Sequence, residues 1–287
     1  MVETSHRDGE RYVVAEADRQ KFERDGYVHL AGVLSEEEVG DLEVTYERFL
    51  HGEIPVAGKD FCDMSGDYAR GVEQFSIINV MLPRKYWPKW RGNVYERRAW
   101  TIAEQLCGAG MELDYDQLLA KRPFKDDAVF GWHQDLAYWP TETPDTRTAT
   151  CWLAIDDSTV QNGCMRFVPG TQLVPLRPHA PLHGDRAKSH TLVTELVKGD
   201  EVRLAPIRRG DITVHNERVM HGSGGNKSAG WRRAYVVAFR SRETVAWERA
   251  HGFTHSHNDQ REVLDQVGFA NSAGGERNEP LEQSAEE

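Results

Sequence analysis

Residues 131–135 read GWHQD and residues 221–239 read HGSGGNKSAGWRRAYVVAF, and the fold turns on how these two stretches come together. In the second, a histidine precedes a Gly-rich turn and then a run, Trp231 to Phe239, dense in β-branched and aromatic residues, as in a strand. In the first, side chains of an extended chain alternate between faces with a period of two, so a strand edge puts His133 and Asp135 on one face. A second imidazole from a distant strand, His221, completes a 2-His-1-carboxylate facial triad that leaves the opposite face of a metal ion open. An HxD pair alone is weak, its bland reading being a surface His beside a turn Asp. The downstream context raises it: Arg232 on the returning strand is a fixed cation, and a guanidinium pairs bidentately with a carboxylate.

Outward from these stretches, the chain from about Leu113 is made of short runs of β-branched and aromatic residues separated by Gly, Pro, Asn and Asp. Candidate strands are 113–121, 149–156, 164–168, 191–197, 211–215 and 231–240, enough to close a double-sheet jelly roll. Upstream the texture is helical. Ser35-Glu36-Glu37-Glu38 reads as a capping box, and behind it Val39, Leu42, Tyr46 and Phe49 form one apolar stripe. A second helix is expected over Val94 to Cys107, ended by a left-handed Gly108, and a short strand within residues 26–34. The expectation is a single domain over 1–267, with a helical part over 15–110 and a jelly-roll core over 111–245. Residues 268–287, polar and acidic, are expected to be a disordered tail.

Composition narrows the partners. The formal charge is -11 and no Lys/Arg cluster is dense enough to track phosphates, so nucleic acid is not expected as a partner. No apolar run approaches the roughly 20 residues of a membrane-spanning helix, and MVETSHRDGE is too polar for a signal-peptide core. The expected setting is the cytoplasm, with no membrane partner. Cys62, Cys107, Cys151 and Cys164 form no CxxC pair and are expected as four reduced, buried thiols.

Four ordered motifs, HQDLAYWP (133–140), NGCMRFVPGT (162–171), Gly210-Asp211 and HGSGGNKSAGWRRA (221–234), together with a strand ending in Trp152, resemble the phytanoyl-CoA dioxygenase family of Fe(II)/2-oxoglutarate oxygenases. The resemblance is specific over residues 113–240, and FERDGYVHLAGVLSEEEV (22–39) matches the family's opening segment more loosely. It implies a double-stranded β-helix (cupin-like jelly roll), and His133, Asp135 and His221 as iron ligands. It also implies Arg232 as the partner of the distal carboxylate of 2-oxoglutarate, Ser223 and Trp152 as further cosubstrate contacts, and Gln117 in the same pocket. The implied reaction consumes 2-oxoglutarate and O2, releases succinate and CO2, and by default hydroxylates a C–H bond. Halogenating relatives carry a small residue where Asp135 stands, so chlorination is disfavoured.

Several assignments compete. Arg233 could replace Arg232, but alternation lets only one face inward, and the register with His221 favours Arg232. His215 could replace His221, yet the end of GDITVH is better suited to packing or capping a turn. His251, His255 and His257 suggest a second metal, but no acidic pair at ligand spacing completes them, so they are read as solvated. Core packing is the default for Trp87, Trp90, Trp139 and Trp231. Gln172 stands where the family has a histidine, a departure expected to leave iron binding untouched.

The substrate pocket is expected to draw on residues 55–90 and on the loops after Asp135 and Pro169, with Tyr138, Trp139 and Arg166 as contributors. The expected substrate is a small polar or secondary metabolite. Oxidative cyclisation, desaturation or epimerisation would need the same metal ligands. Two further readings stay open: a cupin-like metal protein acting without 2-oxoglutarate, which leaves Arg232 and Ser223 without a carboxylate, and a non-catalytic ligand cup, against which the intact triad speaks.

Overall fold

The structure, a computed structural model, describes residues 6–140 and 142–259. The N-terminal elements are β1 (Arg7–Asp8), β2 (Arg11–Tyr12), α1 (Glu16–Asp25), β3 (Tyr27–Leu30), α2 (Glu36–Leu50), β4 (Phe61–Asp63), β5 (Ile77–Met81), α3 (Pro83–Tyr86) and α4 (Val94–Cys107). Next come β6 (Met111–Lys121), β7 (Phe130–His133), β8 (Thr148–Ala154), β9 (Met165–Val168), β10 (Ala180–Pro181) and β11 (Leu192–Val193). The chain continues through β12 (Arg203–Ala205), β13 (Ile212–His215), β14 (Met220–Ser223), β15 (Arg232–Ser241) and α5 (Arg242–Ala250). Two antiparallel sheets dominate, a seven-stranded one in the order β3-β13-β8-β15-β6-β5-β4 and a four-stranded one in the order β12-β9-β14-β7.

The large sheet is buried on both faces, which is why its strands read as continuous apolar runs. Along β8 every residue is buried. Ala149, Cys151 and Leu153 pack with α2 and α4 in one core, whereas Trp152 and Ala154 join Met165 and Phe167 of the small sheet in another. The second core shows the two sheets facing each other as a jelly roll. On β15 the alternation places Tyr235, Val237 and Phe239 toward the helices and Ala234 and Val236 toward the small sheet.

Local rules explain how the helices are held. The Ser35 hydroxyl accepts from the Glu38 N–H at 3.2 Å, and the Glu38 carboxylate accepts from the Ser35 N–H at 2.9 Å, a complete capping box. The stripe Val39, Leu42, Tyr46 and Phe49 is buried, each large apolar side chain contributing about 1.5–3 kcal/mol. Tyr46 donates to the Ala234 carbonyl at 3.1 Å and Tyr95 to the Cys151 carbonyl at 2.8 Å, which fixes both helices on the sheet. Asp211 accepts from the Gly32 N–H at 2.7 Å and lies 2.9 Å from His29, which ties the turn before β13 to the chain around β3.

The jelly roll, α2 and α4 appear as expected, and other details differ. Within 15–110, β3 falls in the strand expected over 26–34, whereas β4 and β5, which also extend the large sheet, were not expected. Ile77–Met81 is buried throughout and shows no alternation that would mark it as a strand. Of 191–197 only Leu192–Val193 pairs, because Leu196 and Val197 are exposed and find no partner strand. Gly108 has φ 90° and ψ 169°, an extended geometry of opposite hand rather than a left-handed helical cap. All four cysteines are free, and Cys107 is only partly buried. The expected tail, 268–287, lies outside the described residues, among which no helix is long and apolar enough to cross a membrane.

Gly163, in the turn entering β9, has φ +83°, and a Cβ there would overlap the Gly224 carbonyl oxygen. Gly163→Ala should therefore lower stability by at least about 1–3 kcal/mol, the usual cost of backbone strain, plus the overlap. Urea denaturation checks this, and an unshifted midpoint would contradict it.

Candidate metal centre and carboxylate pocket

Strand pairing sets the two imidazoles opposite each other. β14 runs antiparallel to β7 with His221 in register with His133, and their ring centroids lie 4.2 Å apart. Asp135 arrives differently from the expected alternation. β7 ends at His133, and Asp135 opens a 3-10 turn, Asp135–Tyr138, that folds its carboxylate back over the strand end. The Asp135 Oδ1 atom lies 3.6 Å from His133 Nε2 and 3.4 Å from His221 Nε2. The three residues are buried, with ligand atoms within 4.8 Å of one another.

The far nitrogens of both rings are engaged: His133 Nδ1 lies 2.8 Å from the Gly131 carbonyl, and His221 Nδ1 lies 3.0 Å from the Val219 carbonyl. A carbonyl accepts only, so each Nδ1 carries a proton and each Nε2 points at the carboxylate, the ring orientation a metal ligand needs. Burial, then the neighbouring His133, holds His221 well below its usual pKa. Burial pushes the Asp135 carboxyl up, but His221, His133 and His215 outweigh it and hold it well below the usual carboxylate range. Two imidazoles and a carboxylate suit a divalent first-row ion such as Fe(II).

His215 and Thr150, not assigned this role in the sequence, engage the other oxygen of Asp135. His215 Nε2 lies 3.3 Å and the Thr150 hydroxyl 3.4 Å from Oδ2. His215 lies at the end of β13 and Thr150 on β8, so the large sheet orients the carboxylate that faces the small-sheet histidines.

Arg232, on the inward face of β15, is 2% exposed, and burial lowers its pKa to about 10, still charged at neutral pH. Its Nε and Nη1 atoms are buried without a hydrogen-bond partner, while Nη2 reaches the Ser223 hydroxyl at 3.5 Å. The guanidinium lies over the Trp152 ring, 5.2 Å from its centroid. Gln117 lines the same cavity and donates to Asn79 at 2.6 Å. Arg233 faces the opposite side and pairs with Asp156 at 2.6 Å and with Glu43 and Glu47 of α2. Alternation thus gives each arginine its own side of the sheet.

Lys121 is a further buried basic residue absent from the sequence assignments. Its Nζ atom donates to the Ser223 hydroxyl at 2.7 Å and to the Gly224 carbonyl. Burial, then Arg232 and Arg166, pull its pKa well below the usual lysine value. Period-two spacing puts it on the same face as Gln117, and that signal would have found it.

A cavity of about 540 Å³ opens onto the triad, Arg232, Ser223, Trp152 and Gln117 together. Residues from 55–90 line it, as expected, and so do Tyr138 and Trp139. Arg166 does not: it points away and packs over Trp132 at 4.4 Å. Gln172 donates to the Glu23 and Arg24 carbonyls at the end of α1 and does not line the cavity.

Of the histidine cluster expected in solvent, His255 is buried. His255 sits 2.7 Å from Asp114 and 3.5 Å from Glu248, the acidic pair that sequence spacing concealed. Arg249 pairs with Asp114 and Arg240 with Glu248 at 2.6 Å, so these carboxylates are already neutralised by arginines. His257 is partly exposed at the cavity wall, and of the three only His251 is exposed, as expected.

The family described as Phytanoyl-CoA dioxygenase (PhyH) matches residues 22–234. Ectoine dioxygenase from Bordetella parapertussis is 26% identical over 241 residues, covering 79% of this chain and 75% of that protein. The crystal structure of EvdO2 from Micromonospora carbonacea var. aurantiaca complexed with 2-oxoglutarate superposes with a TM-score of 0.64 at 27% identity, covering 80% of this chain and 91% of that one. SnoK, a non-heme alpha ketoglutarate dependent carbocyclase from nogalamycin biosynthesis, superposes with a TM-score of 0.60 at 25% identity, covering 79% and 83%. The chain belongs to the phytanoyl-CoA dioxygenase family and is an Fe(II)- and 2-oxoglutarate-dependent dioxygenase that uses O2.

Proposed function

We propose that His133, Asp135 and His221 hold the iron, that Arg232, Ser223, Trp152 and Gln117 receive 2-oxoglutarate, and that the enzyme hydroxylates a small-molecule metabolite. The observation that carries this is the buried Arg232 guanidinium: two of its nitrogens lack partners, and it lines the same cavity as the three candidate ligands. A dicarboxylate satisfies both ends at once, with its distal carboxylate on Arg232 and its 2-oxo acid end toward the metal. A cupin-like protein acting without 2-oxoglutarate would leave that charge buried and unpaired, at a cost of several kcal/mol.

The chain's own contribution is binding, orientation and exclusion of water. Iron, when bound, supplies the O2 chemistry that couples 2-oxoglutarate decarboxylation to oxidation of the substrate. His215 and Thr150 restrain Asp135 from the side away from the histidines. The Ser223 hydroxyl accepts from Lys121 and so keeps its own proton for a carboxylate oxygen. Tyr138, edge-on to His133 at 5.7 Å, lines the cavity beside the candidate ligands. SnoK, a carbocyclase, supports ring closure as a second outcome of the same arrangement. Mass analysis of the product separates the two, because hydroxylation adds one oxygen atom and ring closure removes two hydrogens.

Asp135→Ala should abolish Fe(II)-dependent succinate formation while circular dichroism stays unchanged, and retained turnover would sink the triad assignment. Arg232→Ala should raise the 2-oxoglutarate KM on the order of 10- to 100-fold, the loss of a charge-assisted pair, whereas Arg233→Ala should lower stability and leave that KM alone. The reverse pattern would assign the carboxylate to Arg233. Lys121→Met should raise the same KM by a smaller factor than Arg232→Ala, and steady-state titration of 2-oxoglutarate reads both.

A further inference from the structure

Lys121 and Arg232 stand directly opposite each other where β6 pairs with β15, so their side chains leave the sheet on the same face. Both are buried, Lys121 at 0% and Arg232 at 2% exposure, and among the described residues neither pairs with a carboxylate. A third base, Arg166 of β9, is also near, its Nε atom buried without a hydrogen-bond partner. Like charges directly across a strand pair repel, and burial strengthens the repulsion. An arginine keeps its proton in such a place, whereas a lysine can give its proton up.

The hydrogen bonds of Lys121 fit the uncharged form. Its Nζ atom donates to the Ser223 hydroxyl at 2.7 Å and to the Gly224 carbonyl, and makes no third bond among the described residues. A neutral amine has two N–H groups, both satisfied here, and an ammonium has a third, which would be left over. The remaining neighbours bring no negative charge. Ile77 of β5, opposite Lys121 on its other side, is apolar, and burial raises the pKa of the Cys164 thiol, which keeps it protonated. Burial foremost, then Arg232 and Arg166, lower the Lys121 pKa against the pull of Cys164.

We propose that Lys121 is an uncharged amine before the cosubstrate binds and takes up a proton when the distal carboxylate of 2-oxoglutarate docks against Arg232 and Ser223. Ser223 and Arg232 line the cavity and Lys121 does not, so Lys121 acts through Ser223 and is a positioning residue. The arriving carboxylate supplies the negative charge that the facing bases lack, and the ammonium becomes the stable form. An ammonium donates more strongly to the Ser223 hydroxyl, which leaves the hydroxyl's own hydrogen for the carboxylate. The lysine pKa is lower before binding than after it. Binding therefore takes up a proton at any pH between the two values, and affinity for 2-oxoglutarate falls as pH rises through that window. The proposal rests on the iron and 2-oxoglutarate reading above and deepens it.

The test uses full-length protein, anaerobic and loaded with Fe(II), titrated calorimetrically with 2-oxoglutarate at about pH 8 in HEPES and in Tris, whose heats of ionisation differ. The difference in heat counts the protons exchanged, and the expected result is an uptake between about 0.5 and one proton per 2-oxoglutarate. 2-Oxobutyrate, which keeps the chelating end and lacks the distal carboxylate, should bind without uptake, and so should 2-oxoglutarate on Lys121→Met. From about pH 7 to 8.5 the Kd for 2-oxoglutarate should rise by up to about tenfold per pH unit, and in Lys121→Met it should stay flat. Equal heats in the two buffers, for a 2-oxoglutarate that binds more tightly than 2-oxobutyrate, would overturn the proton coupling and leave the Arg232 reading intact. Uptake that persists in Lys121→Met, or that is as large with 2-oxobutyrate, would overturn it too, and the second comparison needs no variant. Equal affinity for the two acids would overturn the Arg232 reading and the coupling with it.

Discussion

A guanidinium buried without a partner is among the least favourable arrangements a protein interior can hold. Arg232 comes close to that position, 2% exposed with two unpartnered nitrogens and no carboxylate beside it among the described residues, and the molecule around it is organised to keep it there. β15 is the inner strand of a seven-stranded sheet, clamped between β8 and β6, so its register is fixed on both sides. Trp152 of β8 covers the face of the cation, and Ser223 of β14 and Lys121 of β6 close its end. A carboxylate delivered to this place is oriented before any chemistry begins.

The division of labour between the two sheets follows. The small sheet supplies two histidines from paired strands, and a short turn supplies the aspartate. The large sheet supplies the arginine and the groups that restrain the aspartate's second oxygen. Because the large sheet is buried on both faces, its outer residues pack against the helices, while its inner face combines apolar residues such as Ala234 and Val236 with a few polar ones that line the cavity. Arg232 and Arg233 show this at adjacent positions, one turned to the cavity and the other to the acidic residues of α2.

Much of the site was legible because its parts carry strong local signals: a histidine and an aspartate two apart, a Gly-rich turn after a histidine, an arginine on the strand that follows. What was not legible depends on contacts distant in sequence. Asp135 comes against the two histidines by a turn, though strand alternation had suggested the same meeting for a different reason. His215 and Thr150 acquire a role only because β13 and β8 bring them against Asp135. His255 looked solvated because its acidic neighbours are Asp114, at sequence distance 141, and Glu248. Ile77–Met81 escaped notice as a strand because burial on both faces erases the period-two pattern.

The central claim, that Arg232 awaits the distal carboxylate of 2-oxoglutarate, is tested most directly by comparing 2-oxoglutarate with 2-oxobutyrate, which keeps the metal-chelating end and lacks that carboxylate. With anaerobic, Fe(II)-loaded protein, calorimetry should find 2-oxoglutarate binding on the order of 10- to 100-fold more tightly. Equal affinities for the two acids would contradict the account.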